Sequence, residues 1–227
     1  MNPSAVMISH YTRAETSRKA TLAQLYSLGI HPIVTESIVR IGSDSEVKRM
    51  AWHAVMKADP IDGVLFFEDD LVIDPVRMLW FLAQPKPKFD LVVLCLLREG
   101  LYPYDLRVSM RFQTKTRLHI AKLDRDLFSA DRGFHGSMAL WLSPRLVTRM
   151  RTNRTDFMYL DGKVLREPVT ASERIRRKPC GFDFWLKDNV MSAAVVFPNP
   201  VDHAAAVSTL SGVMSTHHSP SFGVPHV

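Results

Sequence analysis

The feature that most constrains this chain is the run Ile61-Asp62-Gly63-Val64-Leu65-Phe66-Phe67, which stops abruptly at Glu68-Asp69-Asp70. Large apolar residues in succession, without polar alternation, predict a strand buried on both faces, as in the centre of a sheet covered by helices. The neighbouring segments agree. Val6 to Ser9 is predicted as a first strand, and Thr12 to Leu28 as a helix with Ala20, Leu22, Ala23, Leu25, Tyr26 and Leu28 at helical spacing and Gly29 as its C-terminal stop. His31 to Thr35 reads as the second strand. Ser43 or Asp44 caps a helix that runs to Ala58 with Val47, Met50, Ala51, Ala54 and Val55 on one face. Such alternation of short apolar runs and amphipathic stretches predicts βαβ units, hence an α/β fold with a mostly parallel sheet in a single domain. Glu68-Asp69-Asp70 would then lie at the C-terminal edge of a central strand, where open α/β sheets bind ligands.

Further along, Pro75 opens a short helix through Leu82, and Asp90 to Leu97 is the next predicted strand. Residues 98–132 are polar, basic and irregular, with arginines at 98, 107, 111, 117, 125 and 132. Gly133 to Leu142 reads as a strand. Ser143-Pro144 reads as a cap with proline in the first helical position, and Arg145 to Arg151 as a helix. The tail, residues 216–227, is expected to be flexible.

With 227 residues, 46% hydrophobic and 23% charged, the chain is neither disordered nor fibrous. Its two cysteines, Cys95 in an apolar run and Cys180 after a basic stretch, fit a reducing cytoplasm better than a disulfide framework. The first nine residues lack a signal-peptide pattern, and no window approaches the roughly 18 apolar residues of a membrane span, so a cytoplasmic protein without a transmembrane segment is expected. The net charge of +6 suggests an anionic partner such as nucleic acid, anionic lipid or nucleotide phosphate.

Three segments carry chemistry. Three consecutive acids at a strand end raise one another's pKa unless a cation or ligand neutralises them, and a divalent metal such as Mg²⁺ or Mn²⁺ suits such oxygen donors. The alternative is a solvated acidic turn. In Cys180-Gly181-Phe182-Asp183-Phe184-Trp185-Leu186-Lys187-Asp188 an aspartate opens an amphipathic helix, as an N-cap or as a catalytic carboxylate. The third is Pro198-Asn199-Pro200-Val201-Asp202-His203, followed by Val207-Ser208-Thr209-Leu210-Ser211-Gly212. Taken alone, its histidine is an ordinary core or surface residue.

In their order along residues 4–212, these pieces resemble a glycosyltransferase of the GT-A fold. The resemblance implies a single GT-A domain over residues 1–215, with 1–97 as the nucleotide-sugar-binding half and 98–215 as the acceptor half. It places Ser9 and Arg13 against the donor nucleotide, Thr35 and Glu36 near the base, and Lys48 or Arg49, of which Arg49 is chosen, towards the nucleotide. Glu68-Asp69-Asp70 stands where relatives carry Asp-x-Asp, in the Glu-Asp-Asp form common among lipopolysaccharide-type and N-acetylglucosaminyl transferases, whose last acid binds the metal. Glu68 and Asp69 would then meet the donor. Asp70 and the late His203 would hold Mn²⁺ or Mg²⁺, although the Ile-Gly usual after that histidine is Ala204-Ala205 here. Gly136 and Ser137 resemble the small-residue strand under the acceptor, and Asp183 falls where inverting members carry the general base.

Two other classes compete. A nucleotidyltransferase would show a glycine-rich phosphate loop after the first strand, and Ser9-His10-Tyr11-Thr12 has no glycine. A non-catalytic nucleic-acid-binding module built on 98–132 and Arg174-Ile175-Arg176-Arg177-Lys178 has no use for an acidic strand end, which repels phosphates. For the acceptor, 5-hydroxymethylated pyrimidines in viral duplex DNA compete with a lipopolysaccharide or other saccharide core. The basic segments, with Arg176 and Arg177 as acceptor contacts, favour DNA.

Overall fold

The computed structural model describes residues 1–37, 44–96, 117–123, 138–153, 182–204 and 222. Its elements in order are β1 (Ser4–His10), a single 3-10 turn (Tyr11–Arg13), α1 (Ser17–Ser27), β2 (Ile33–Ser37), α2 (Asp44–Met56), β3 (Val64–Phe67), β4 (Leu71–Ile73) and α3 (Pro75–Ala83). They are followed by β5 (Leu91–Val93), β6 (His119–Leu123), β7 (Ala139–Leu142), α4 (Pro144–Thr152), α5 (Phe182–Asn189), β8 (Ala193–Phe197) and β9 (Val201–His203).

The expected α/β architecture is present. A seven-stranded sheet runs in the order β2-β1-β3-β7-β5-β8-β6, and β4 and β9 form a second sheet of two strands. The main sheet is mixed: β1 pairs in parallel with β2 and β3, as does β5 with β8, whereas β7 runs against β3 and β5 and β6 against β8. The alternation of strands and helices in the first part of the chain reports only its parallel portion.

Both faces of the central strands are covered, as the apolar run requires. Val64 and Phe66 of β3, with Val6 and Ile8 of β1, pack into one core with Ala51, Ala54 and Val55 of α2, Leu146 of α4 and Phe182 of α5. Leu65 and Phe67, with Ala5 and Met7, pack into a second core with Leu25 of α1 and Met78 and Phe81 of α3. Each large apolar side chain buried this way contributes about 1.5–3 kcal/mol.

Several boundaries follow local chemistry. Gly29, at φ +72°, ends α1 with Gly29 N donating to Tyr26 O and Ile30 N to Leu25 O, both at 3.0 Å. Pro75 starts α3 behind an Asp74 cap, and Ser143 caps α4 by accepting from Leu146 N at 3.1 Å.

Others depart from expectation. The predicted helix from Thr12 is a 3-10 turn followed by α1, whose buried residues are Thr21 and Leu25, while Tyr26 is exposed. The ladder of β3 starts at Val64 because Gly63 is bent to φ +88°, and Ile61 is exposed. β5 is shorter than predicted, although Leu94, Cys95 and Leu96 remain buried beyond it. β6 lies inside the stretch expected to be irregular. It is half-buried and, among the described residues, pairs with β8 alone, so its apolar signal is weak. The pattern gives no strand at β8 or β9, and both are present. The expected strand around Gly133 is described only over Ala139–Leu142, and the tail apart from Phe222 lies outside the described residues.

Gly63 makes a close approach. A Cβ there would meet the Trp141 ring at 2.5 Å and Leu142 O at 2.7 Å, and Trp141 Nε1 donates to Asp62 O at 3.1 Å. Gly63→Ala is therefore expected to cost on the order of 2–4 kcal/mol, combining positive-φ strain with overpacking. Thermal unfolding should show a Tm drop on the order of 10 °C; a drop below about 2 °C would mean that β7 yields easily.

Candidate functional site

The connection from β1 through α1 leads to β2 on one side of β1, while α2 returns the chain to β3 on its other side. The loops leaving β1 and β3 therefore part in opposite directions. The C-terminal edge of the sheet at such a divergence is the usual ligand position in open α/β folds. Ser9 and His10 end β1 at this edge, and Glu68-Asp69-Asp70 follow β3.

Helix α1 fixes the acidic edge. Thr21 Oγ1 accepts from Leu71 N at 3.0 Å and donates to Asp69 O at 3.1 Å, while Gln24 accepts from Ile73 N at 2.8 Å and donates to Leu71 O at 3.2 Å. These two side chains satisfy one side of β4, and β9 pairs with it in antiparallel register, setting Leu71 opposite His203. Ala204 N donates to Asp70 O at 2.8 Å. The buried Arg77 secures the turn before β9, reaching Asp74 Oδ2 at 2.9 Å and Asn199 O at 3.0 Å.

The two aspartates differ. Asp69 is saturated: its Oδ2 accepts from Ser9 Oγ at 2.6 Å and His10 N at 3.2 Å, and its Oδ1 from Arg13 Nη1 at 2.6 Å. Asp70 is half-satisfied. Its Oδ2 lies 2.6 Å from the same Arg13 Nη1 and 3.2 Å from His203 Nε2, whereas its buried Oδ1 has no partner, nor does the buried His203 Nδ1. The Asp69, Asp70 and His203 side chains are each only 4% exposed. Asp70 shows the neutralised case, with Arg13 as the cation. Burial pushes its carboxyl up, but the hydrogen bond from His203 and the charge of Arg13 outweigh it and hold it below the usual range. Burial likewise works against Arg13, yet Asp70 and Asp69 raise its guanidinium above the ordinary value.

The structure thus brings Ser9, Arg13, Asp69, Asp70 and His203 together. Glu36 joins them at one remove, opposite Ser9 in the β1–β2 register and ion-paired with Arg18, whose Nη1 is 3.5 Å from Ser9 Oγ. Glu68 is half-buried and donates its backbone N–H to Met138 O at 2.7 Å. Thr35 accepts from Lys57 Nζ at 3.2 Å instead of joining the acids. On α2, Arg49 is exposed and Lys48 is buried. Asp183 is the second residue of α5, inside its first turn, so it is not the N-cap. Phe182 before it packs on Phe66 of β3 with ring centroids 5.3 Å apart, which sets the start of α5 against the strand that leads into the acidic edge. Gly136, Ser137, Arg176 and Arg177 lie outside the described residues.

No family model matches this chain, and no curated protein matches it. The arrangement itself is what its chemistry can be read from.

Sequence reasoning missed Arg18, Thr21, Gln24 and Arg77. Thr21 left one signal, a polar residue one turn before Leu25 on the helix face turned inward. Cys95 lies fully buried near these acids: burial, then the charges of Asp202, Glu68 and Asp70, push its thiol well above the usual value, so it is no nucleophile.

Among the described residues no group of three or more His, Cys, Asp or Glu side chains is arranged to hold a metal ion. The donor set nevertheless suits a metal that takes few protein ligands. Mg²⁺ and ions of its kind keep waters and phosphate oxygens around one or two carboxylates. Asp70 and His203 would supply the carboxylate and the imidazole of such a set once the hydrogen bond between them opens. The orphaned Asp70 Oδ1 offers a further lone pair. No helix among the described residues is long and apolar enough to cross a membrane.

Proposed function

We propose that this chain is a metal-dependent glycosyltransferase that moves a sugar from a nucleoside-diphosphate donor to an acceptor hydroxyl. The observation that carries this reading is the half-satisfied Asp70 beside His203 and Arg13, at the sheet edge where the connections of β1 and β3 diverge. The likeness of Ser9, Arg13, the Glu68-Asp69-Asp70 edge and the late His203 to the GT-A pattern supports it further.

Each residue then has a task. Asp69, saturated by Ser9, His10 and Arg13, orders the acidic edge. Asp70 and His203 would hold Mn²⁺ or Mg²⁺, which when bound supplies Lewis acidity to the departing diphosphate. Arg13 contributes fixed positive charge where negative charge grows, a form of preorganised electrostatic stabilisation. Glu36, oriented by Arg18, faces the nucleoside. Asp183 accepts the acceptor's proton as its oxygen bonds to the anomeric carbon and the bond from that carbon to the diphosphate breaks, which inverts the centre.

As acceptor we propose a 5-hydroxymethylated pyrimidine in duplex DNA, supported by the +6 charge and the basic segments of the sequence. A thermal-shift screen of nucleotide sugars with and without Mn²⁺ tests the donor half: at about 100 times its Kd a true donor stabilises by about 2.7 kcal/mol, a Tm rise of roughly 5–10 °C that needs the metal. No metal-dependent shift with any nucleotide sugar would sink the reading. Labelled-sugar transfer to hydroxymethylated duplex, unmodified duplex and a lipopolysaccharide core tests the acceptor. Incorporation is expected only into the hydroxymethylated duplex. With about four phosphates contacted, duplex affinity should fall with log salt at a slope of about −0.9 per phosphate. Incorporation only into the saccharide would replace DNA as acceptor and leave the transferase standing.

A further inference from the structure

Two buried carboxylates and one half-buried guanidinium meet at the acidic edge, and one guanidinium nitrogen lies against both acids. Arg13 Nη1 lies 2.6 Å from Asp69 Oδ1 and 2.6 Å from Asp70 Oδ2. The acids are not equivalent partners, since Asp69 has Ser9 Oγ and His10 N on its other oxygen whatever Arg13 does. Asp70 has His203 alone besides Arg13, and its second oxygen has no partner. A cation ligated through Asp70 Oδ2 would therefore displace Arg13 from the one acid that depends on it, while Asp69 would remain ordered.

Resting on the metal-dependent reading above, we infer that Arg13 is a resident counter-ion for Asp70, holding the carboxylate in the ligand-free protein and yielding it to the divalent metal. The displaced guanidinium then meets the anionic diphosphate that arrives with the metal. Metal and Arg13 compete for one oxygen, and the diphosphate relieves the competition by giving Arg13 a new partner. Metal alone consequently binds weakly and metal with diphosphate binds well, because the diphosphate lowers the cost of moving Arg13. This is a coupling free energy between two ligands of one site. Arg13 keeps Asp69 as a partner on leaving Asp70, so the cost of the move is the lost Asp70 contact, which the diphosphate replaces.

The test uses Mn²⁺ alone and inorganic pyrophosphate, which carries the diphosphate chemistry without any choice of base. In Arg13→Gln the competitor is gone, and calorimetry is expected to show Mn²⁺ alone binding at least about fivefold more tightly than in the wild type, while pyrophosphate with Mn²⁺ binds more weakly. Arg13→Lys, which keeps the charge, should hold Mn²⁺ alone within about threefold of wild type. A wild-type measurement guards against misfolding of the glutamine variant: phenylglyoxal labelling of Arg13, read by mass spectrometry, should rise on adding saturating Mn²⁺ and fall again on adding pyrophosphate. Mn²⁺ binding in a folded Arg13→Gln no tighter than in wild type, or wild-type labelling unchanged by bound Mn²⁺, overturns the inference and leaves the proposed function intact. Mn²⁺ binding to no form of the protein, with or without pyrophosphate, overturns both.

Discussion

Asp70→Asn is expected to abolish metal-dependent donor binding while leaving a folded protein. The substitution keeps an oxygen for Arg13 and His203 but removes the charge that a divalent cation needs, at the one acid with an oxygen to spare. Turnover should fall by about 10³ or more if charge on the departing diphosphate is stabilised through this carboxylate. The fold should also weaken modestly, since the net surroundings of Asp70 favour its ionised form. That sign fixes a pH dependence in the wild type. The folded carboxyl titrates below its unfolded value of about 3.9, so its contribution is complete above that pH and is lost as pH falls through the lower folded value. In Asp70→Asn this acid-side portion should disappear from a plot of Tm against pH. Unchanged Mn²⁺ and nucleotide binding by calorimetry in this variant would remove the metal assignment.

The second large effect concerns the start of α5. Asp183→Asn should retain donor affinity and lose turnover by about 10² or more, because a general base acts in the transition state and not in ground-state binding. The structural alternative predicts something else. Asp183 sits in the first turn of its helix, where a carboxylate opposes the positive end of the macrodipole and its loss costs about 0.3–1 kcal/mol. A variant that is slightly less stable yet almost fully active would show Asp183 serving the helix alone, with the proton going elsewhere. Because donor binding and Tm are read beside kcat, the two roles separate in one set of measurements.

What the sequence reveals here depends on how far each interaction reaches along the chain. Gly29, the Asp74-Pro75 pair and the Ser143-Pro144 pair act within a turn of themselves, and each does in the structure what its local chemistry implies. The Val64–Phe67 run signals a strand covered on both sides because burial on two faces leaves no polar alternation. The acidic edge stands out for the same reason: three acids in a row after an apolar strand need explaining wherever they fall. Its neutralisation does not. Arg13 reaches Asp69 and Asp70 through a 3-10 turn that replaces the first turn of the predicted helix, and periodicity cannot distinguish the two. The antiparallel entry of β7 and the pairing of β4 with β9 are settled by register between distant segments, which no local pattern encodes. The meeting of His203 with Asp70 agrees with the order of motifs along the chain, yet it is the β4–β9 ladder that accomplishes it.

That ladder has a consequence for assembly. Ser9, Arg13 and Asp69 can associate once β1 and β3 have paired, a matter of contacts within the first third of the chain. His203 comes from the opposite end of the described chain, and the closure of so long a loop is entropically costly until the intervening sheet has formed. By this argument the clasp of the acidic edge by arginine is expected to precede the arrival of the histidine. The pairing that brings His203 to Asp70 is thus completed late, by a three-residue strand.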